Sequence, residues 1–229
     1  MAGSHPLDNP VWSSLVGPHA RFAQRRGRVL RYPPDVSPFV ALPDEPRRTD
    51  WDDLAALIGA GAVVGLAGVR ATPPHGWKVR PVGEGVQLID FGVAATEEAG
   101  TLRLGPGDVP DMLDLAARTR PGPFLPRTAE LGTHLGIRCD GALVAMAGER
   151  LHPPGWTEIS AVCTHADFRG QGLATRLVRA VAHGIVERGE TPFLHTAAAN
   201  RTAIRLYEAL GFRLRREVVF GAWQVPSES

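Results

Sequence analysis

The sequence predicts an α/β protein in which short apolar strands alternate with amphipathic helices. Residues 157–174 carry the clearest pattern, which is an apolar strand, a polar turn and a glycine-rich lead into a helix. That helix has apolar side chains at 3.6-residue spacing from Leu173 to Val186. A further strand over 192–196 and a helix that Asn200 can cap come next.

The composition narrows the class of protein. The chain has 229 residues, 44% of them hydrophobic, which is enough for one large domain or two small ones. A net charge of +1 argues against a nucleic-acid or membrane partner, and no apolar run reaches the ~18 residues of a membrane span. Cys139 and Cys163 form no disulfide framework and lack zinc spacing, so we expect a cytoplasmic protein without a metal site.

The first 98 residues are predicted to form a small α/β layer that supports the rest of the chain, because they contain no glycine-rich phosphate turn. Helices are expected over 9–26 in two pieces and over 50–58 from an Asp50 cap, and strands over 29–32, 39–42, 62–67 and 86–91. The small, polar segment 94–100 marks the boundary, which divides the chain into residues 1–98 and 99–229.

The second region opens with helical patterns and a hairpin. Helices are expected over 108–118 and 127–131. Strands over 134–138 and 142–147 meet at Asp140-Gly141, the strongest short turn signal in the chain. The next strand alternates, with Ile159, Ala161 and Cys163 expected on one face and Glu158, Ser160, Val162 and Thr164 on the other.

The glycine-rich turn after this strand predicts an anion site, because free N–H groups and the helix dipole meet at a helix N-terminus. A dinucleotide fingerprint fails because Thr175 stands where its third glycine should be, and a P-loop fails because no Gly-Lys-Ser/Thr follows. The pattern Gln/Arg-x-x-Gly-x-Gly/Ala does fit, at Arg169, Gly172 and Ala174.

With these residues the chain resembles the GNAT (general N-acetyltransferase) superfamily over about residues 100 to 222. The turn, Asn200 followed by Ala203 and Tyr207, and the ending Leu210-Gly-Phe212 carry the resemblance. It implies a mixed, mostly antiparallel central sheet flanked by helices, with acetyl-CoA as cosubstrate. A degenerate half of the same fold is one interpretation of residues 1–98. The implied cofactor-binding residues are Val162, Cys163, Thr164, Arg169, Gly170, Gln171, Gly172, Leu173, Ala174, Asn200 and Tyr207.

The resemblance also implies catalytic roles. Glu158 matches a general base that deprotonates the amine, with an ion-paired strand-end carboxylate as the alternative. Tyr207 matches an acid that protonates the CoA thiolate, or else packs in the core. Asn200 contacts the cofactor, caps its helix, or both. Cys163 could be a nucleophile, although a mid-strand cysteine more often packs as a small hydrophobe.

The function that follows is an N-acetyltransferase that moves acetyl from acetyl-CoA directly to a primary amine. The acceptor would be a small-molecule or peptide amine. A non-catalytic acyl-CoA-binding or regulatory module is the alternative. The sequence leaves the acceptor, the length of the acyl group and the oligomeric state open.

Overall fold

The structure, a computed structural model, describes residues 5–67 and 71–227. Its strands are β1 (Gln24–Arg26), β2 (Val29–Arg31), β3 (Val40–Ala41), β4 (Val63–Ala67), β5 (Lys78–Asp90), β6 (Leu102–Arg103), β7 (His134–Cys139), β8 (Ala142–Glu149), β9 (Trp156–Thr164), β10 (Thr191–Ala197) and β11 (Phe212–Gln224). Its helices are α1 (Pro10–Leu15), α2 (Arg48–Ile58), α3 (Val109–Thr119), α4 (Leu173–Glu187) and α5 (Arg201–Ala209). Within the described residues, no helix combines the length and apolar character needed to cross a membrane.

The centre of the molecule is an eight-stranded mixed sheet in the order β4-β11-β5-β10-β9-β8-β7-β6. Only β9 and β10 pair in parallel; the other neighbours in this sheet pair antiparallel. A three-stranded antiparallel sheet, β1-β2-β3, lies in the N-terminal region. The predicted α/β fold with a mostly antiparallel central sheet is confirmed.

Strand β5 joins the two halves of the chain. It comes from the N-terminal region, yet it lies between β10 and β11 and pairs with both. The central sheet therefore crosses the boundary that the sequence suggests at residue 98. Residues on both sides of that boundary contribute to one core, in which Val86 and Leu88 pack with Leu194 and Phe212.

The two faces of the sheet carry different elements. On one face α4 buries Leu177, Val178 and Val181 against Val144 and Ile159. The stripe predicted from its 3.6-residue spacing is therefore the buried one. On the other face, α3 packs around Met112 and Leu115, and the N-terminal region packs around Phe193, with Leu7, Tyr32 and Phe39 among its members.

Two predictions for the N-terminal region were wrong in detail. The second half of 9–26 forms a 3₁₀ turn at Ala20–Phe22 and then β1, because β2 supplies a strand partner. Helix α2 begins at Arg48, so Asp50 is not its cap. The Asp50 carboxylate accepts a hydrogen bond from the Arg47 N–H at 2.7 Å and pairs with Arg28.

Candidate active site

The central sheet opens between its two parallel strands. The pairing of β9 with β10 ends at Ile159 and Leu194, although β9 continues to Thr164 and β10 to Ala197. The outer edges of both strands are occupied, by β8 and β5 respectively. The two inner edges beyond this point therefore have no ladder between them. We call this unpaired interval the gap, and its closed end at Ile159 and Leu194 the apex.

A β-bulge in β9 accompanies this gap. The register with β8 shifts between Met146 and Gly148, and Ala161 adopts the left-handed region with a φ of 53°. A bulge adds a residue and changes which face the following side chains take. Accordingly Ile159 packs on the α4 side, whereas Ala161 and Cys163 pack with α3. The prediction that Ile159, Ala161 and Cys163 share a face was wrong for this reason.

The glycine-rich turn lies between β9 and α4 and presents free backbone donors. Gly170 and Gly172 have φ values of 77° and 76°, which glycine adopts without strain, and a Cβ at either would meet nothing within 4 Å. The N–H groups of residues 170–175 donate to no acceptor among the described residues. With the N-terminus of α4 they form a site that favours a phosphate group.

Other residues assigned to the cofactor have definite places. Val162, Cys163 and Thr164 line the inner edge of the gap on β9. Asn200 is the N-cap of α5, where its Oδ1 accepts a hydrogen bond from the Ala203 N–H at 3.1 Å. The capping role predicted for Asn200 is thus confirmed, whereas its contact with a cofactor stays a prediction.

Glu158 lies one residue before the apex of the gap, completely buried. Its Oε2 accepts from Arg150 Nε at 2.8 Å, and its Oε1 accepts from Arg150 Nη2 at 2.7 Å and lies 2.6 Å from His195 Nδ1. Burial alone would raise the pKa of Glu158. The charge and hydrogen bonds of Arg150, together with the His195 hydrogen bond, instead lower it to about 2. Both carboxylate oxygens are engaged, which is the ion-paired alternative to a free base.

The hydrogen bonds around Glu158 continue to the surface. Gln87 Nε2 lies 3.0 Å from both the Leu7 carbonyl oxygen and His195 Nε2. Arg215, the bulged residue of β11, donates to Gln87 Oε1 at 2.8 Å and to Asp8 at 2.7 Å. We call Arg150, Glu158, His195, Gln87, Arg215 and Asp8 the Glu158 network.

The network also fixes the tautomer of His195. The Leu7 carbonyl can only accept a hydrogen bond, and the Arg215 guanidinium can only donate one. Gln87 must therefore direct its Nε2 to the Leu7 carbonyl and its Oε1 to Arg215. Nε2 of His195 therefore accepts from Gln87, and its Nδ1–H donates to Glu158. Both ring nitrogens of His195 thus have partners, and 4% of its side chain is exposed. Neither nitrogen is free for a substrate.

Tyr207 and Cys163 are both buried, at 7% exposure each. Burial raises the pKa of Tyr207 to about 12, so the phenol holds its proton at neutral pH and can only donate it. Burial likewise raises the pKa of the Cys163 thiol to about 11. Because a thiolate is the reactive form, Cys163 suits the packing interpretation and not the nucleophile.

Sequence reasoning missed the partners of Glu158. Arg150 had a usable signal, because a hairpin through Pro153-Pro154-Gly155 brings residue 150 opposite 158; the Arg150 N–H donates to the Glu158 carbonyl at 3.0 Å. His195 has no local pattern that places it beside Glu158. Gln87 gave no sequence signal.

The site thus combines an unpaired strand edge between two parallel strands with a glycine turn at a helix N-terminus, in an α/β fold. The family model described as "FR47-like protein" matches residues 134–220. A GNAT-family protein of known structure from Novosphingobium aromaticivorans is 41% identical, with a TM-score of 0.88, and the match covers 98% of this chain and 100% of that one. A comparison with curated proteins gave no significant match.

More distant structures share the fold. A GCN5-related N-acetyltransferase from Kribbella flavida is 20% identical with a TM-score of 0.61, covering 95% of each chain. A GNAT-family acetyltransferase from Colwellia psychrerythraea is 18% identical with a TM-score of 0.52, covering 73% of this chain and 65% of that one. The match at 41% identity over nearly the whole chain, together with the arrangement of the site, identifies the protein family. The protein belongs to the GNAT family.

Proposed function

We propose that the protein is an N-acetyltransferase that transfers acetyl from acetyl-CoA directly to a primary amine. The observation that carries this proposal is the run of N–H groups at residues 170–175 beside the gap, which donate to no acceptor in the described part of the chain. A pyrophosphate on these donors would gain several charge-assisted hydrogen bonds and the favourable end of the α4 dipole.

The gap between β9 and β10 suits the pantetheine arm of the cofactor. The unpaired inner edge of β9 at Val162, Cys163 and Thr164 offers backbone donors and acceptors to an extended chain, as an added strand would. An arm that leaves the glycine turn and follows this edge reaches the apex at Ile159. The thioester would then lie next to the end of the β9–β10 pairing.

The reaction at the apex is a nucleophilic substitution at the thioester carbonyl. The amine nitrogen forms a bond to the carbonyl carbon, the C–S bond breaks, and the amine loses a proton while the CoA thiolate gains one. Tyr207 is the proposed donor to the thiolate, since its phenol is protonated at neutral pH. Glu158 is completely buried and already engaged by Arg150 and His195, so we do not assign it the amine proton. The amine would therefore react as its neutral fraction, with its proton passing to water.

The engaged state of Glu158 is also the specific observation that favours the second function, a non-catalytic acyl-CoA-binding module. An enzyme and a binder share the phosphate site and differ only in turnover. Release of thiol from acetyl-CoA in the presence of amines separates them. Tight CoA binding without thiol release on small amines or peptides would establish the binder.

The cofactor site itself is tested with two matched glycines at opposite ends of α4. Gly172 and Gly189 have φ values of 76° and 75°, and a Cβ would meet nothing at either position. Alanine therefore costs each site a similar backbone strain of about 1 kcal/mol. We expect Gly172→Ala to weaken CoA binding at least about tenfold, because the new methyl group crowds donors that bind a charged group.

Calorimetric titration with CoA provides the measurement, and Gly189→Ala is the control that should bind CoA as the wild type does. A wild-type CoA affinity in Gly172→Ala would contradict a phosphate site at the glycine turn. The same loss of CoA affinity in both variants would show that the backbone strain, and not the site, is responsible.

A further inference from the structure

Arg150, like Arg215, is a charged group of the Glu158 network whose donors are not all used by the described residues. Its Nε and Nη2 donate to Glu158 in a side-on pair, whereas Nη1 donates to no acceptor among the described residues. The side chain is 13% exposed, while Glu158 is completely buried. The two N–H donors of Nη1 thus remain unused on the side away from Glu158, and part of the Arg150 side chain is accessible to solvent.

The guanidinium is held in a rigid setting. Its backbone continues β8 and bonds to Glu158 across the hairpin at 3.0 Å. Its Cζ lies 5.2 Å from the centre of the Phe39 ring, which belongs to the N-terminal region. Glu158, itself fixed by His195, prevents rotation of the planar group. An arginine that is ordered in this way loses little conformational entropy when it binds another anion.

The ion pairs that extend from the Glu158 network carry more guanidinium groups than carboxylates. They include Arg150, Arg215 and Arg216 but only Glu158 and Asp8. Glu158 balances Arg150, and the surplus guanidinium lies at the Asp8 end, where Arg215 and Arg216 share one carboxylate. A carboxylate bound at Arg150 would therefore enter surroundings with a surplus of positive charge.

Arg150 lies close to the point where the acetyl transfer is proposed to take place. Glu158 pairs with Phe193, one step before the last β9–β10 pair at Ile159 and Leu194, where the gap begins. Phe193 packs with the N-terminal region, on the face away from α4. The Arg150 guanidinium bound to Glu158 therefore stands near the apex, on the face that the N-terminal region covers, opposite α4.

We propose that Arg150 Nη1 binds a carboxylate of the acceptor, and that the acceptor is an amino acid. This inference rests on the proposed function and adds the substrate class. Glu158 and His195 act as positioning residues for Arg150.

The test is thiol release from acetyl-CoA with matched acceptors: L-amino acids, the corresponding amines without the carboxylate, and O-phosphoethanolamine as an amine that bears a phosphate. We expect kcat/KM for the best amino acids to exceed that of their amines about tenfold or more. In Arg150→Lys, which keeps a charge beside Glu158 but loses the planar fork, that preference should fall about tenfold, mainly through KM.

Arg127→Lys is the matched control, because Arg127 also makes a two-bond pair with a glutamate, Glu130, but on the surface. It should keep the wild-type preference, and CoA titration establishes that both variants are folded. A wild-type enzyme without preference, or an unchanged preference in Arg150→Lys, overturns the assignment of Arg150 and leaves the proposed function standing. Preference for the phosphate overturns the carboxylate, and no thiol release with any amine, despite CoA binding, overturns both proposals.

Discussion

Replacement of Glu158 by glutamine tests the buried ion pair most directly. The side chain keeps its size but loses its charge, so Arg150 is left inside the protein without a carboxylate. A pKa lowered from 4.5 to about 2 corresponds to about 3 kcal/mol in favour of the charged form. Removal of one partner from a buried pair typically costs about 3–5 kcal/mol. We therefore expect Glu158→Gln to lower the free energy of unfolding by about 3 kcal/mol at pH 7.

A glutamate–arginine pair on the surface provides a control with the same chemical groups. Glu130 accepts two hydrogen bonds from Arg127, at 2.7 and 2.8 Å, but its side chain is 46% exposed. Glu130→Gln should cost less than about 1 kcal/mol, because water replaces the lost interaction. Equilibrium urea unfolding followed by tryptophan fluorescence measures both variants. A loss in Glu158→Gln no larger than that in Glu130→Gln would refute the reasoning.

The stabilities of the wild type and of Glu158→Gln should also depend differently on pH. Because the folded-state pKa of Glu158 is lowered, its contribution is present above about pH 4.5 and is lost as the pH falls towards 2. The difference in unfolding free energy between the wild type and Glu158→Gln should therefore shrink over that interval. A difference that stays constant down to pH 3 would mean that the charge of Glu158 does not stabilise the fold.

Two further outcomes are expected. Tyr207→Phe should lower kcat about tenfold and leave CoA affinity unchanged, since only the proton donor is lost and a thiol of pKa about 8.5 is already a tolerable leaving group; an unaltered kcat assigns Tyr207 to packing. Burial lowers the pKa of His19 to about 3, so its contribution to stability is complete above about pH 6.5 and is lost on acidification towards pH 3. Urea unfolding at pH 7.5 and 5 should show a shallower pH dependence in His19→Gln than in the wild type.

The elements that the sequence predicted well are those whose pattern is local. The α4 stripe repeats over four turns, and the Asp140-Gly141 hairpin needs only its own turn to set the pairing. Strand β5 was predicted to cover 86–91 but runs from Lys78 to Asp90. Its first half contains Pro81 and Gly83, which disfavour a strand, and pairing with β11 overrides that preference.

The candidate site divides in the same way. The glycine turn could be found because its residues are adjacent and each has a conformational reason to be there. The environment of Glu158 could not be found from the sequence, because Gln87 and Arg215 are 128 positions apart. They meet where the bulge in β11 places Arg215. The bulge at Ala161 also reversed the expected faces of β9. The Glu158 carboxylate, for which a general base and an ion pair were both expected, thus lies in an ion pair with Arg150.

The place of β5 between β10 and β11 also sets the order in which the sheet can assemble during synthesis. β5 is complete at Asp90, but its first partner begins at Thr191. At about 5–20 residues per second, the ribosome needs about 5–20 s to make the intervening chain. Throughout that time both edges of β5 are unpaired and could associate with other nascent chains. Lys78, Arg80 and Glu84 give the strand charged side chains of the kind that disfavour association of unpaired strand edges.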